Sequence, residues 1–380
     1  MPASSTAIVA TTSTARRWRA HRLVVLSSTS VSSRRPRQCG GAYERRVGAV
    51  NVTACDVDHT RSPCHISRCA GPPKLDTVRG GDVTDAAADT ATETFAEHRD
   101  LLFALVYNLL GSIADTEDVL QETWLSWMPR QRRGTDEIAN PRAYLVRIAV
   151  NAALARQSDI ARRRETYIGP WLPEPLLTDD ADTADAALRT EAVSMAMLVV
   201  LQTLTPLERA VFVLNEVFGY RHAEIAPMIG REAAAVRQLA HRARSHVQAR
   251  RPRFRADPVV QRRVTERFLD AQRGSDLSAL MDLLAPDVIF HSDGGGRIRT
   301  ALRPIEGAAK VARLLTGPGV RSTMVDLDLR LGHINGEPAV VCFRRGEPYG
   351  VGVLDIDPET ERIRCIYTIG NPDKLIGMAR

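Results

Sequence analysis

The chain has 380 residues, a formal net charge of +6 and a pI near 9.2, which is length enough for two or three domains. None of its apolar runs approaches the roughly 20 residues that span a bilayer, so the sequence excludes an ordinary transmembrane helix and predicts a cytoplasmic protein. The basic charge is concentrated, because residues 205–255 carry ten arginines against four glutamates, and such a block favours a polyanionic partner.

Residues 1–88 are predicted to be a disordered or mis-assigned N-terminal extension. They are rich in Arg, Ser and Thr and show no sustained apolar period. A targeting peptide and a nucleic-acid-binding arm are the alternatives, although the apolar run "LVVL" is too short for a secretory signal. Four cysteines fall here without the paired C-x₂-C spacing of a zinc site, so no metal and no other cofactor is predicted. They are Cys39, Cys55, Cys64 and Cys69.

From Thr92 the apolar spacing becomes helical, and Gly111 is expected to end this first helix. A second helix follows, with Asp115 as its expected cap and with Trp124 and Trp127 on a buried face. Another face of this helix is polar, and its spacing alone predicts no more than solvation. That face contains Asp118, Gln121, Glu122 and Leu125.

A third helix is predicted to begin with Asn140 as its cap and Pro141 in its first turn. One side of this helix is apolar and the rest is strongly basic, from Arg142 to Arg164. Arginines that meet phosphates beside an exposed aromatic ring suit a single nucleic acid strand, although a merely solvated basic face has the same composition.

The stretch from residue 205 predicts a helix-turn-helix. Thr205 and Glu208 form a capping box with Pro206 in the first helical position. A short helix then leads to a turn at Gly230, and the helix after the turn is basic. This arrangement fits the major groove of DNA, and the alternative is a plain helical hairpin.

These segments together resemble regions 2 and 4 of bacterial extracytoplasmic-function (ECF) sigma factors. The resemblance rests on "ADTEDVLQETWLSW", "NPRAYLVRIAVNAAL", "LTPLERAVFVLNEVFGY" and "EIAPMIGREAAAVRQLAHRAR". It implies core RNA polymerase, through its β′ clamp helices and β flap, and promoter DNA as partners. Pro227 inside the first helix of the helix-turn-helix departs from the family pattern, as do Arg231 and Glu232 in place of a Ser or Thr cap.

The resemblance also implies residue roles. The polymerase-binding residues would be Asp115, Asp118, Gln121, Glu122 and Leu125. The residues that read the −10 promoter element would be Arg142, Tyr144, Arg147, Asn151, Arg156, Arg162 and Arg163. The residues that read the −35 element would be Arg231, Glu232, Ala235, Arg237, Gln238, His241, Arg242 and Arg244.

After residue 255 the pattern changes to two helices followed by segments that alternate apolar and polar residues, including "RSTMVDLDLRLGHI", "PAVVCFRR" and "RIRCIYTIG". Alternation at period two predicts a curved antiparallel sheet with one buried face, packed against helices. The order of elements resembles the SnoaL-like, or NTF2-like, α+β cone. The predicted fold is therefore multidomain, with two all-α sigma modules followed by this cone.

Three short motifs resemble the hallmarks of the ECF subgroup that carries a fused SnoaL-like domain. They are a W-L-P-E-P linker, a D-G-G-G-[KR] loop and an N-P-D-K-L tail. The resemblance implies regulation in cis in place of a separate anti-sigma protein, and Arg297 or Lys374 is the expected partner of Glu174. The motif residues are Trp171, Leu172, Pro173, Glu174, Pro175, Asp293, Gly294, Gly295, Gly296, Arg297, Asn371, Pro372, Asp373, Lys374 and Leu375.

The predicted boundaries place region 2 at 89–166, the linker at 167–190, region 4 at 191–254 and the SnoaL-like domain at 255–380.

The predicted function is that of a sigma factor modulated by its C-terminal domain, without catalysis. Two alternatives are a helix-turn-helix repressor and a DNA-binding module fused to a cyclase or isomerase. The enzyme would need a carboxylate base in an apolar pocket, and His291 with Asp293 is the best pair. The other candidates are Asp287, Asp326, Asp328, Tyr349 and Tyr367.

Overall fold

The computed structural model describes residues 82–133, 138–178, 193–250 and 256–378, all within one compact unit, Leu75–Arg380. The predictions for the N-terminal extension and its four cysteines, the end of the linker and residues 251–255 lie outside the described residues. Within the described part of the chain, no helix is both long and apolar enough to cross a membrane.

The first helical module contains α1 (Asp82–Leu110), α2 (Ile113–Arg133) and α3 (Pro141–Glu165). Gly111 ends α1 with a φ of +69°, a conformation that glycine adopts without strain. Asn140 caps α3 by accepting from the Ala143 N–H, and Pro141 opens the helix, as the sequence predicted. Because α1 begins at Asp82, it runs across the boundary that the sequence placed after residue 88.

The second helical module contains α4 (Met195–Leu201), α5 (Pro206–Phe212), α6 (His222–Met228) and α7 (Ala233–Arg250). The predicted capping box of Thr205 and Glu208 is present at the start of α5, which continues into a π-helical turn at Val213–Val217. Pro227 is the sixth of the seven residues of α6, beyond its first turn, so the helix lacks the hydrogen bond that an N–H at this position would give to the carbonyl of Ala223.

The two helical modules share one continuous hydrophobic core. The buried residues of this core run from Ala91 in α1 to Val247 in α7, and they include Trp127, Leu145 and Ile225, all of them fully buried. Close-packed interiors resist separation, because each buried side chain loses its contacts outright when a gap opens. The two modules are therefore held against each other by burial.

Over residues 256–378, the C-terminal domain is a six-stranded sheet with four α-helices and two short 3-10 helices near its end. The strands have the order β2-β1-β6-β5-β4-β3, in which β1 and β6 are parallel and the other pairs are antiparallel. The strands are β1 Leu284–Asp293, β2 Ile305–Glu306, β3 Asp328–Ile334, β4 Glu337–Arg344, β5 Glu347–Ile356 and β6 Ile363–Ile369. The helices are α8 Pro258–Gly274, α9 Leu277–Leu283, α10 Ala308–Leu315 and α11 Pro318–Met324.

Both faces of this sheet are covered, although the sequence predicted one buried face. Helices α8 to α10 cover one face, where Leu354 of β5 and Ile366 of β6 are buried. The opposite face buries Val353 and Tyr367 beneath the linker and α4, with Leu172 in the same cluster. The linker therefore forms part of the hydrophobic core of the C-terminal domain.

One predicted strand was partly wrong. The alternation across "RSTMVDLDLRLGHI" predicted a strand from residue 321, but residues to Met324 form α11 and the strand begins at Asp328. Pro318 opens this helix in its first turn, where a proline is well tolerated.

Candidate functional site

The buried carboxylate of Asp293 is the point at which the three motifs meet. Its Oδ2 accepts from the backbone N–H of Leu172 at 2.8 Å and from the ammonium of Lys374 at 2.7 Å. Its Oδ1 accepts from the Tyr167 hydroxyl at 2.5 Å and from the Gly295 N–H at 3.1 Å. We call the contact of Trp171–Pro175 with Asp293–Arg297 and Asn371–Leu375 the three-motif interface.

Lys374 lies at the centre of this interface. Its ammonium also donates to the Leu172 carbonyl at 2.5 Å and lies 3.8 Å from the centre of the Trp171 ring. Burial lowers the pKa of Lys374, and the adjacent charge of Asp293 opposes that shift. The lysine thus contacts the linker through both its charge and a cation–π interaction.

Asn371 and Tyr167 complete the polar part of the interface. The Asn371 side chain donates to the Tyr167 hydroxyl at 2.7 Å, and its backbone N–H donates to the Asp293 carbonyl at 3.1 Å. Burial, together with the neighbouring Asp293, raises the pKa of Tyr167, so its hydroxyl remains a donor. Gly295, with a φ of +59°, has no room for a side chain, because a Cβ there would lie 2.4 Å from Asn371.

The remaining motif residues lie at or near this centre. A Cβ on Gly296 would lie 3.0 Å from Ile168, and one on Gly294 would lie 2.4 Å from the Ile298 carbonyl. Leu375 is buried with Leu172, whereas Arg297 forms an exposed ion pair with Asp373 at 3.2 Å. Pro173 and Pro175 are buried and Pro372 is exposed.

The expected partner of Glu174 was wrong. Its carboxylate accepts from the N–H groups of Ile113 and Ala114 and from the Ser112 hydroxyl at 3.1 Å, so it caps the N-terminus of α2. Burial raises the pKa of Glu174, and these hydrogen bonds oppose the shift. Neither Arg297 nor Lys374 hydrogen-bonds to it, although the charge of Lys374 also lowers the pKa of Glu174. The linker is therefore bound to the first helical module at Glu174 and to the sheet at Leu172.

Asn335 is a functional candidate that the sequence analysis missed. It has a φ of +55° in the turn between β3 and β4, and its side chain donates to the Tyr107 hydroxyl at 2.9 Å. Tyr107 in turn donates to the Glu174 carbonyl at 2.6 Å, and the Asn335 N–H donates to the Leu176 carbonyl at 2.8 Å. The dipeptide Asn335-Gly336 is a strong hairpin-turn signal, which could have located the turn but not its contacts.

The predicted polymerase-binding residues separate into two groups. Asp118, Gln121, Glu122 and Leu125 are exposed on α2, as their spacing predicted. Asp115 is buried and is not the helix cap, since the Ser112 hydroxyl accepts from its N–H. Its carboxylate binds Arg163 at 2.7 Å and Arg156 at 3.1 Å, and Arg156 also pairs with Asp118 and Glu122.

The predicted −10 residues lie on α3, and several of them face the second helical module. The Asn151 side chain donates to the Met228 carbonyl of α6 at 3.1 Å, and Arg142 lies 6.0 Å from the centre of the Tyr220 ring. Tyr144 and Arg147 line a groove of about 470 Å³ between the modules. Arg162 is exposed and pairs with Asp159 in its own helix.

The predicted −35 residues lie on α7 and in the turn before it. Arg231, Glu232, Arg237, Gln238, His241 and Arg242 are exposed, whereas Ala235 and Arg244 are half-buried. Arg242 pairs with Glu208 at 2.8 Å and Arg244 with Glu216 at 2.6 Å, so part of this charge is balanced within the module. Arg237, Gln238 and His241 share one exposed surface.

His291 and Asp293, the best candidate pair for an enzyme, each have other partners. The Asp293 carboxylate is fully buried and engaged by the four donors described above. His291 stacks on Tyr367 with ring centres 5.4 Å apart, and burial lowers the pKa of its imidazole. Asp287, Asp326 and Asp328 are exposed and Tyr349 is half-buried.

Comparisons with known proteins agree with the helical architecture. The model of Sigma-70 region 2 matches residues 94–164, and that of Sigma-70 region 4 matches residues 194–247. The ECF RNA polymerase sigma factor SigJ of Mycobacterium tuberculosis (strain ATCC 25618 / H37Rv) is 35% identical over 300 residues, which cover 74% of this chain and 92% of that protein. The chain belongs to the ECF RNA polymerase sigma factors.

Further comparisons extend the similarity of this sigma factor to its C-terminal domain. The probable ECF RNA polymerase sigma factor SigI of the same species is 29% identical over 289 residues, covering 76% of this chain and 95% of that protein. The crystal structure of M. tuberculosis SigJ matches with a TM-score of 0.60 and 32% identity, covering 75% of this chain and 98% of that chain. The sigma domains imply that this sigma factor binds RNA polymerase and promoter DNA.

Proposed function

We propose that the C-terminal domain regulates this sigma factor from within the same chain, through the three-motif interface. The observation that carries the proposal is the position of the linker. Leu172 is bound by Asp293 and Lys374 of the C-terminal domain, while Glu174, two residues later, caps α2 of the first module. A movement of the C-terminal domain would therefore be transmitted through the linker to the first helical module, which is region 2.

The packing of the two modules supports this regulation. The −10 and −35 elements are about 25 base pairs apart, or roughly 85 Å of straight duplex at about 3.4 Å per pair. In this arrangement α3 contacts α6, the helix that directly precedes α7. Modules in contact cannot reach both elements at once, so we propose that they separate when the sigma factor binds polymerase and a promoter.

The ion pairs of the first module support the same conclusion. Arg156, a proposed −10 residue, pairs with Asp118 and Glu122 of the proposed polymerase-binding face. Polymerase would have to replace Arg156 as the partner of these acids, which would free the arginine for DNA. Polymerase can shift the equilibrium between paired and released Arg156 only by the difference in its affinity for these two states. The strength of the ion pairs around Arg156 therefore determines how far polymerase binding releases the arginine.

We further propose that the C-terminal domain acts without catalysis and takes the place of a separate anti-sigma protein. The Asp293 carboxylate, which an isomerase would need as a free base, is used to hold the linker. A fused domain is present at a high effective concentration, so modest contacts suffice to keep the modules together.

Promoter-dependent transcription in vitro tests this proposal. Full-length chain and a chain truncated after Arg255 are each combined with core polymerase, and transcripts are counted from a promoter identified by mapping after overexpression. A regulatory C-terminal domain predicts different transcript yields at equal polymerase occupancy. Equal yields from the two chains would show that the C-terminal domain does not regulate the two helical modules.

A further inference from the structure

A cluster of buried nitrogen atoms lies where α1 and α3 end and where the linker meets the second module. Among the residues that the structure describes, five side-chain nitrogens here are buried and have no hydrogen-bond acceptor. They are Arg164 Nε and Nη2, Trp171 Nε1, Gln202 Nε2 and Arg209 Nη2. Buried donors are almost always paired, and an unpaired one destabilises the fold, more so when it is charged. Several in one place call for a common partner.

Two of these donors lie at the end of α1, and the charge of a third residue, Arg164, acts on Arg209. A Cβ on Gly111 would lie 3.5 Å from Gln202 Nε2 and 3.7 Å from Arg209 Nη2, with Pro173 of the linker 3.4 Å away. Arg209 is only 5% exposed, and its Nε donates to the Asn108 carbonyl at 3.2 Å, which fixes the guanidinium. On the linker side, Arg164 lies 5.4 Å from the centre of the Trp171 ring.

The cluster is also strongly positive. Burial lowers the pKa of Arg164 to about 10 and that of Arg209 to about 9, and the charge of Arg164 adds to the shift of Arg209. Both guanidinium groups therefore stay charged at neutral pH. Lys374 also lies beside Trp171, but its charge is paired with Asp293, so the positive charge of the cluster comes from the two arginines.

We propose that this junction binds a small oxyanion of the phosphate class. Four of the five atoms are guanidinium or indole nitrogens, which donate and cannot accept, so the cluster selects an acceptor and repels metal cations. Planar guanidinium groups bind tetrahedral oxyanions through paired, charge-assisted hydrogen bonds. The donors come from α3, the linker, the α4–α5 connection and α5, so a bound oxyanion joins region 2, the linker and region 4.

Calorimetric titration of the full-length chain with potassium phosphate, at constant ionic strength set by KCl, tests the proposal. Saturable binding at one site is expected. Arg164→Gln should weaken it by about tenfold or more, because a hydrogen bond to a charged group contributes about 1.5–3 kcal/mol and 1.4 kcal/mol is a factor of ten. Arg267→Gln, which removes an equal but distant exposed charge, is the matched control and should bind like the wild type.

A second variant separates loss of the ligand from loss of the fold. Gln202→Glu places a carboxylate among the donors, so it should raise the thermal midpoint without phosphate and abolish the further rise that phosphate gives the wild type. A Gln202→Glu chain that still responds to phosphate like the wild type would overturn the proposal.

Two further outcomes would also overturn it. Heats that do not saturate, or that are the same in Arg164→Gln, would indicate a general salt effect. Phosphate binding seen only after Asp179→Asn and Asp180→Asn would show that the chain's own acidic tract supplies the counter-charge. The titration uses the sigma factor alone, so its result is independent of whether the C-terminal domain regulates transcription.

Discussion

The ammonium of Lys374 lies 2.7 Å from the carboxylate of Asp293, and their side chains are only 5% and 0% exposed. Burying two charges is expensive, and their attraction compensates only when further hydrogen bonds satisfy the remaining atoms. Here Leu172 and Tyr167 of the linker segment supply two of these bonds. The Asp293 carboxylate therefore has all of these hydrogen bonds only when the linker is docked. Docking of the linker and burial of the two charges are thus coupled.

Replacing Lys374 by methionine should destabilise the chain strongly. The variant leaves the Asp293 carboxylate buried without its counter-ion, and breaking a buried pair in this way costs about 3–5 kcal/mol. The double variant Lys374→Met with Asp293→Asn should recover part of that loss, because no uncompensated charge remains. Urea unfolding of the wild type, both single variants and the double variant measures the coupling. Strictly additive losses would contradict a coupled pair.

Trp171→Ala should loosen the docked linker and separate the modules. The ring lies 3.8 Å from the Lys374 ammonium and 5.4 Å from the Arg164 guanidinium, and it meets the Tyr167 ring edge-on at 4.6 Å, so its removal deletes two cation–π contacts and an aromatic pair. Each is worth about 0.5–2 kcal/mol. Small-angle scattering should report a larger radius of gyration, and transcription with core polymerase should change.

Two comparison variants sharpen the Trp171 experiment. Trp171→Phe keeps an aromatic face and should give intermediate values. Val259→Ala shortens an exposed side chain on α8 and should leave compactness unchanged. If Trp171→Ala is as compact and as active as the wild type, the segment is an ordinary connector.

Gly295→Ala should cost more stability than Gly346→Ala. Both glycines have a positive φ, +59° and +88°, so both alanines are strained by about 1 kcal/mol. Only at Gly295 would the new Cβ collide with Asn371, whereas nothing lies within 4 Å of a Cβ at Gly346. The difference between the two losses in free energy of unfolding, measured with urea, therefore reports how closely the Gly295 loop approaches Asn371 of the C-terminal tail. Equal losses would mean that only backbone strain matters at Gly295.

The helical modules and their caps could be predicted from the sequence, whereas the contacts that the three motifs make could be predicted less well. Caps at Asn140 and Thr205 are local signals, because a few neighbouring residues determine them. The partner of Glu174 is the start of α2, about sixty residues earlier in the chain, and only tertiary packing brings it there. Burial of Asp115 was missed for the same reason, since its partners Arg156 and Arg163 lie on another helix.

Reversal of one charge on α2 should weaken binding to core polymerase if the exposed acids form the polymerase-binding face. Asp118→Lys places a positive charge on that face, which we expect to lower affinity by about tenfold or more. Glu117→Lys is the matched control, since this neighbouring acid is exposed on a different side of α2 and pairs with Arg99 of α1. Co-precipitation with core polymerase over a concentration series measures both. Similar losses in the two variants would point to net charge rather than to a specific face.

Asp115 should make the stability of the first helical module depend on acidity. Burial alone would raise the pKa of Asp115, but hydrogen bonds from Arg163 and Ser112 outweigh it and hold the pKa below its usual value of 3.8. A carboxylate with a lowered folded-state pKa contributes its stability fully above the unfolded value, and that contribution is lost as the pH falls through the folded value. Asp115→Asn should therefore lower the free energy of unfolding by about 1.5–3 kcal/mol at pH 7 and by progressively less below about pH 4.

Urea unfolding at pH 7, 4 and 3 measures whether the stabilities of the wild type and Asp115→Asn converge as the pH falls. The exposed Asp270→Asn is a control that should follow the wild type. A difference between wild type and Asp115→Asn that stays constant over this range would show that the ion pairs with Arg156 and Arg163 do not stabilise the module.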